Sequence, residues 1–325
     1  MSTVPEYTAS NSSSSPPGDC PLCRSTGPFG ERPSPEGFRL WECRRCGIVF
    51  LSPQPSDAEL AAYYDETYYG EEREKFLSPI ERAISLLSAL KWKRLSPLVH
   101  GGDRMLDIGC GRGTMLKLAR ESDVEAWGIE RQSPVGHRVP GILYQSLPEC
   151  HFPDRHFDLV ILWHVLEHLP DPAATLREIQ RILKPGGWLS VAVPNYGGAQ
   201  AAASGAHWFH LDLPRHFWHF RPSSLEALLV STGFHVSGYR TFSFEYDWYG
   251  TLQSWMNSGL DDRNRLYAVL KGEEKAWTGE NLLRLLAASL LALPALASAL
   301  WDAALNQGGT LAVLARKSAA ESGKT

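Results

Sequence analysis

The hydrophobic rhythm of the chain changes several times, and each change marks an element. Met105-Leu106-Asp107-Ile108 is a short apolar run that ends in a glycine-punctuated stretch, Gly109-Cys110-Gly111-Arg112-Gly113, after which Met115-Leu116-Lys117-Leu118-Ala119 takes up helical spacing. This pattern predicts a strand, a tight loop and a helix. Ala126-Trp127-Gly128-Ile129 reads as a second strand closing on Glu130, and Gly141-Ile142-Leu143-Tyr144 as a third. Phe157-Asp158-Leu159-Val160-Ile161-Leu162 is almost continuously apolar, the pattern of a strand covered on both faces of a parallel sheet. Pro170 and Pro172 open an amphipathic helix through Leu183, Lys184-Pro185-Gly186-Gly187 stops it, and Trp188-Leu189-Ser190-Val191-Ala192-Val193 is a fifth strand. Such alternation predicts an α/β, doubly wound sheet with ligands at the carboxyl ends of its strands, where the Gly109 loop, Glu130, Ser146 and His164 converge.

The flanks follow other rules. Residues 1–18, with Ser12-Ser13-Ser14-Ser15-Pro16-Pro17-Gly18, hold too few apolar positions to pack and read as a disordered tail. Pro53 and Pro55 punctuate a linker, Ser56-Asp57-Ala58-Glu59 is a helix-start signature, and a helix from Ile80 to Leu95 leads into the first strand of the sheet. Tyr63, Tyr64, Tyr68 and Tyr69 fit a core stripe better than a lid. Between Tyr239 and Gly308 the regular pattern lapses into an aromatic stretch, with Tyr246, Trp248, Tyr249 and Trp255, and then 17 uncharged residues from Leu285 to Trp301. At helical rise that run spans about 25 Å, slightly short of a hydrocarbon core, and Pro294 interrupts it.

Composition narrows the chemistry. The 325 residues carry Lys+Arg 32 against Asp+Glu 36, a formal net charge of -4, without a basic block beyond Arg44-Arg45. A general nucleic-acid binder is disfavoured, and small or neutral partners fit better. No basic region followed by an apolar core opens the sequence, which points to a reducing cytoplasm.

Two motifs carry chemistry. The glycines of residues 109–113 allow a sharp turn and a close backbone approach to a ligand. They do not make the dinucleotide fingerprint, because Thr114 stands where the third glycine belongs, and Asp107 beside the loop suits a cationic ligand better than a pyrophosphate. Cys20-Pro21-Leu22-Cys23 and Cys43-Arg44-Arg45-Cys46 form two C-x-x-C knuckles with 19 residues between them, a separation read as a structural zinc site closed by four thiolates. Disulfides or a redox pair compete with that reading and are disfavoured by the inferred compartment. Cys110 and Cys150 fall outside the knuckles and read as small packing residues.

The spacing Asp107, Gly109, Gly111, Gly113, followed by Glu130, resembles the cofactor loop of class I S-adenosylmethionine-dependent methyltransferases. The words FDLVILWHVLEHLPDP, LKPGGWLSVAVPN and LPRHFWHF, in that order behind a cysteine ribbon, are similar to a branch that carries a zinc-ribbon module and acts on sugars, polysaccharide precursors or secondary metabolites. The resemblance covers residues 20–240 and returns at Gly308–Lys317 as a last, antiparallel strand. It implies a seven-stranded Rossmann-like methyltransferase sheet, a small N-terminal zinc ribbon and a C-terminal apolar helical insertion. In residue numbers the expectation is a tail at 1–18, the ribbon at 19–52, a helical linker or lid at 53–100, the cofactor-binding core at 101–240, the insertion at 241–307, the last strand at 308–317 and a tail at 318–325.

The same resemblance places Asp107, Gly109, Cys110, Gly111 and Gly113 on the methionine portion, Glu130 on the ribose, Ser146 with Leu147 on the adenine edge, and His164 at the cofactor pocket. Many relatives have an acid at the position of Ser146, so here a hydroxyl or backbone groups take that contact. Oxygen or carbon acceptors need a base, for which His164, His168, His216 and His219 are candidates. His216, in Pro214-Arg215-His216 after the fifth strand, is preferred because that loop is expected to face the methyl. His164, Glu167 and His168 have the spacing of one helical face, which resembles the Glu-x-x-Glu-His arrangement that supports a divalent ion in some ubiquinone-pathway and small-RNA methyltransferases. Here His164 stands in place of the first acid, a departure that suits a transition metal or no metal better than magnesium. The implied cofactors are S-adenosyl-L-methionine and a structural zinc ion, and the implied partner is a small-molecule acceptor: a sugar, glycan, or lipid-linked or secondary-metabolite precursor. Two rivals are an RNA base methyltransferase gripping its substrate with the ribbon, and a non-catalytic scaffold. The apolar run 285–301 is read as packed on the core or in a homodimer, ahead of a peripheral membrane contact.

Overall fold

A computed structural model describes residues 17–35, 37–61, 63, 78–131, 139–260, 264–272, 274 and 278–318. The tail at 1–18 lies outside them except for Pro17 and Gly18, as do 319–325 and Tyr64, Tyr68 and Tyr69. In chain order the strands are β1 (Phe29–Arg32), β2 (Leu40–Cys43), β3 (Val49–Leu51), β4 (Arg104–Ile108), β5 (Glu125–Ile129), β6 (Ile142–Leu143), β7 (Phe157–Trp163), β8 (Leu183–Pro194), β9 (Trp218–His219), β10 (Phe234–Arg240) and β11 (Thr310–Lys317). The helices are α1 (Asp57–Ala61), α2 (Ser78–Leu95), α3 (Thr114–Arg120), α4 (Pro172–Ile182), α5 (Ala199–Ser204), α6 (Pro222–Ser231), α7 (Phe244–Leu260), α8 (Arg265–Lys271) and α9 (Gly279–Ala304). They form two compact units, one from the described parts of Met1–Glu81, Pro194–Ser224 and Thr241–Leu311, the other from those of Arg82–Val193, Leu225–Arg240 and Ala312–Thr325.

The second unit is built on a seven-stranded sheet in the order β10-β11-β8-β7-β4-β5-β6. β4 pairs in parallel with β5 and β7, β5 with β6, and β7 with β8, whereas β10 and β11 are antiparallel. Leu159, Val160, Ile161 and Leu162 of β7 are fully buried, as an unbroken apolar strand in the middle of such a sheet requires. α4 starts where the chain dictates: the side chain of Asp171 accepts the N–H of Ala174 at 2.8 Å, and Pro172 takes the first turn, where no amide donor is needed. α4 ends at Ile182, so Lys184-Pro185-Gly186-Gly187, expected to stop the helix, instead lies inside β8, which begins already at Leu183. Leu183 stands opposite Phe157 and Trp188 opposite Leu159, so four residues bulge against Asp158 alone. The carboxylate of Asp158 accepts from Lys184 Nζ at 2.6 and 2.8 Å and from the N–H of Arg104, on β4, at 2.9 Å.

The first unit has its own sheet, β1-β2-β3-β9, all antiparallel. The helix-start signature forms as read, with Ser56 N–H on Glu59 Oε2 at 2.7 Å and Glu59 N–H on Ser56 Oγ at 3.3 Å. Pro294 does not interrupt the apolar helix: α9 runs through it for 26 residues, about 39 Å. It packs on α7 by a small-residue face, with Ala288, Ala295 and Ala299 buried and the indole N–H of Trp248 on the carbonyl of Ala292 at 2.9 Å. Leu283, Leu286, Leu290, Leu293, Leu300 and Trp301 point to solvent, an inversion of the usual amphipathic arrangement. By length and composition α9 is apolar enough to cross a membrane.

Candidate active site

The turn after β4 is a cradle because its backbone is left-handed three times, at Gly109, Gly111 and Gly113 with φ of +72°, +53° and +75°. Its amides are tied to the neighbouring strand, with Gly109 N–H and Cys110 N–H both on the carbonyl of Ile129 at 2.8 and 3.1 Å. A Cβ on Gly109 would lie 2.3 Å from Val165 Cγ2, and one on Gly128 2.5 Å from Cys110 Sγ, so both positions exclude a side chain. Cys110 is thus a buried packing residue whose thiol is pushed up by burial, and Cys150 is likewise pushed up. Glu130, just past β5, closes the loop: its Oε2 accepts the N–H of Gly111 at 2.9 Å and its Oε1 that of Arg131 at 2.8 Å. A carboxylate has roughly four acceptor sites, so it retains capacity for a diol.

Asp107 is the unusual group. It is 6% exposed at the end of β4, and burial, then the nearby Glu130 charge, pushes its carboxyl up to about 7, opposed by Lys91. A buried carboxyl of this kind is completed by a cation. The glycine turn, the two forbidden Cβ positions and this acid fit the amino-acid end of S-adenosylmethionine, with Glu130 fitting its ribose.

Ser146 and Leu147 also belong to this unit. Ser146 donates its hydroxyl to Glu149 Oε2 at 2.6 Å and its N–H to the same oxygen at 2.8 Å, while Leu147 is buried. His164 has φ +55°, and its N–H donates to the carbonyl of Ala192 at 2.8 Å. The single helical face expected for His164, Glu167 and His168 does not form. Only Leu166–His168 turns, as one 3-10 turn, and the left-handed His164 precedes it. His164 Nδ1 nevertheless lies 3.3 Å from Oε1 of the fully buried Glu167.

The other unit carries the remaining histidines. The ring of His216 is 6% exposed, and its Nδ1 faces the carbonyl of His210 at 2.9 Å. A carbonyl only accepts, so Nδ1 carries the proton and Nε2 is the basic nitrogen of the neutral ring. Asp212 Oδ2 lies 3.6 Å from that Nε2, and Arg215 holds the same carboxylate through its Nε at 3.0 Å. Protonation at Nε2 would therefore meet a fixed negative charge. His219, on β9, is 2% exposed, and burial pulls its imidazole down to about 3, with Asp212 opposing.

Cys20, Cys23, Cys43 and Cys46 come together in this unit, all four sulfurs within 4.8 Å of one another. The Cys20–Cys46 and Cys23–Cys43 separations are both 3.7 Å, the edge of a tetrahedron about 3.8 Å wide that a metal–sulfur bond of about 2.3 Å implies. The thiol of Cys46 draws Cys20 down to about 5 and is itself pushed up in return. Four thiolates at such short separations repel one another, and a divalent cation bound among them relieves that repulsion.

A family described as a methyltransferase domain matches residues 69–237, more than half of the protein. The chain belongs to the class I S-adenosylmethionine-dependent methyltransferases. A 27-O-demethylrifamycin SV methyltransferase of Amycolatopsis mediterranei is 35% identical over 123 residues, 32% of this chain and 45% of that one. A ubiquinone biosynthesis O-methyltransferase of Bordetella avium is 29% identical over 187 residues, 52% of this chain and 76% of its own length. Among solved structures the fold matches the [4+2]-cyclase SpnF at TM-score 0.50 and 22% identity, over 82% of this chain and 97% of that one. A phosphoethanolamine N-methyltransferase 2 of Haemonchus contortus, bound to S-adenosyl-L-methionine, matches at TM-score 0.50 and 20% identity over 83% and 62%.

Three further residues stand in contact with the expected site residues or close to them. Lys91 of α2 lies 4.5 Å above the ring of Trp163 and opposes the rise at Asp107, but one lysine on a surface helix gives no signal. Glu149 accepts from both the hydroxyl and the N–H of Ser146, and its Ser-x-x-Glu spacing was there to be read. Asp212 is recognisable only once the chain has folded its carboxylate toward His216.

Proposed function

We propose that this methyltransferase transfers the methyl of S-adenosylmethionine to an oxygen or carbon of a small-molecule acceptor, in a cytoplasmic setting, with a sugar, glycan or lipid-linked or secondary-metabolite precursor as the acceptor class. The observation that carries the reading is the buried, cation-seeking Asp107 beside a glycine turn that Glu130 closes. Two relatives are O-methyltransferases by name, which favours oxygen as the acceptor atom. When bound, the cofactor supplies a methyl already activated on a positively charged sulfur. The protein therefore has to align the acceptor, keep water out and take up one proton. Asp107 holds the amino group, Glu130 the ribose hydroxyls, and Glu149 with Ser146 and Leu147 the adenine edge. His216 takes the acceptor proton on Nε2: Nδ1 is already protonated toward His210, and Asp212 stabilises the imidazolium that results. His164 and His168 are assigned to positioning the cofactor and to support of the turn at Glu167.

The four cysteines are assigned to a structural zinc ion, which their spacing, sulfur geometry and shared thiolate charge support. Four protein ligands leave no open position, so that ion does no chemistry on the acceptor. The exposed leucine face of α9 suits a second copy of the chain ahead of a lipid surface, since the run Leu285–Trp301 brings no basic residue.

The test is transfer of labelled methyl from S-adenosylmethionine to a panel of nucleotide sugars, glycans, lipid-linked sugars and RNA. Label on a hydroxyl-bearing small molecule supports the reading. Label confined to RNA, lost with salt, would replace it.

A further inference from the structure

The four-cysteine module and the histidine-bearing loop share one sheet. β3 pairs antiparallel with β9, Val49 opposite His219 and Phe50 opposite Trp218, and the N–H of Leu51 donates to the carbonyl of Phe217 at 2.9 Å. With the order β1-β2-β3-β9, residues 217–219 are the outer edge of the sheet whose central hairpin carries Cys43 and Cys46. Side chains repeat the link. The rings of Phe50 and Trp218 are 6.1 Å apart, and Glu42, buried on β2, accepts from Arg32 of β1 and from Arg221 Nη1 at 2.8 Å, just past β9. The guanidinium of Arg221 in turn lies 5.5 Å over the ring of Tyr196.

A strand of two residues has almost no register of its own, so β9 takes its register from β3. β3 is three residues long, and its start is set by the cysteine turn, where Gly47 N–H donates to Cys43 O at 2.8 Å and Cys43 N–H to Ile48 O at 3.0 Å. That register decides the aim of His219. Its buried Nε2 has no hydrogen-bond partner among the described residues, and its ring lies 6.5 Å from that of His216 and 5.6 Å from that of Tyr196. A slip of one residue turns His219 to the opposite face of the sheet and displaces His216 with it.

We propose that the four-cysteine module is the positioning element for His216 and His219. The ion on the four sulfurs fixes the β2–β3 turn, the turn fixes β3, and β3 sets β9 and the two imidazoles. This rests on the methyltransferase reading and on the zinc assignment. Asp107 and Glu130 are carried by the other compact unit, so cofactor affinity serves as an internal control.

The experiment compares the full-length, zinc-loaded protein with Cys46→Ser and with wild type stripped by a chelator. Each is measured for metal content, S-adenosylmethionine binding, hydrogen exchange by mass spectrometry, and turnover with the best acceptor from the labelled-methyl panel. Metal loss is expected to speed exchange at residues 49–51 and 217–220 by about tenfold or more. Exchange in β4 and β7 and the affinity for S-adenosylmethionine should hold, and the loss of turnover should fall on kcat rather than on the KM for S-adenosylmethionine. Glu42→Gln, which keeps all four cysteines, should retain zinc yet loosen 217–220 part of the way. Unchanged exchange at 217–220 after metal loss overturns the proposal. So does cofactor binding that disappears together with the metal, because the module would then support the whole fold. Wild-type protein that is zinc-loaded yet does not bind S-adenosylmethionine sinks the functional reading itself, a result distinct from either.

Discussion

At the scale of single residues, the group on which the proposed function rests is a buried carboxyl whose ionised form a bound cation would favour. Asp107 sits at about 7 without ligand, raised first by desolvation and then by Glu130. Unliganded, a carboxyl raised this way lowers stability as pH climbs from the ordinary carboxylate range toward 7, and a bound ammonium relieves that penalty. Binding a cationic ligand then expels a proton below pH 7. Affinity for S-adenosylmethionine is expected to fall by up to about tenfold per pH unit below 7, and titrations between pH 6 and 8 check this. Asp107→Asn should flatten that dependence and weaken binding by about tenfold or more, the value of a charge-assisted contact of roughly 1.5–3 kcal/mol. His216 makes a different prediction. His216→Ala should leave cofactor affinity in place and lower kcat by about 10²–10⁴-fold, the usual range for a general base, and an active variant would return this ring to a structural role.

At the scale of elements, what was local in the chain was legible and what was long-range was not. The strand–glycine–helix word at 105–119, the Glu130 strand end and the Ser56–Glu59 box are set by neighbours within a few residues, and the structure forms all of them. The bulge at 184–187 stands opposite Asp158, whose carboxylate binds Lys184 from 26 positions away. Continuation of α9 through Pro294 depended on α7 packing along the alanine face, which offsets the roughly 3 kcal/mol cost of proline within a helix. β9 was invisible because two residues carry no periodicity and its partner is β3, about 170 positions earlier in the chain. The exposed leucines of α9 yield a prediction at this scale. Leu290→Glu with Leu293→Glu should lower the oligomeric state seen by light scattering while leaving the fold intact. A wild type that is monomeric and binds vesicles instead would assign this face to lipid.

At the scale of the molecule, the described residues form two compact units. One contains the seven-stranded sheet with Asp107 and Glu130, the residues proposed to hold the cofactor, and the other contains the four cysteines, the His216 loop and the apolar helix. Neither unit is continuous in sequence. Cys43→Ser should remove one zinc equivalent and destabilise the ribbon by several kcal/mol, since structural zinc binding is itself folding free energy. Metal analysis with thermal unfolding checks this, and zinc content that survives the substitution would reject the four-cysteine site. Fold alone does not decide the reaction, as a [4+2]-cyclase of the same architecture shows. The most direct measurement is therefore calorimetric titration of the zinc-loaded protein with S-adenosylmethionine, and in parallel with its demethylated product. Saturable binding of both at about one per chain, abolished by Asp107→Ala with zinc retained, is the predicted result. No heat and no thermal stabilisation from either ligand, in folded protein, would contradict it.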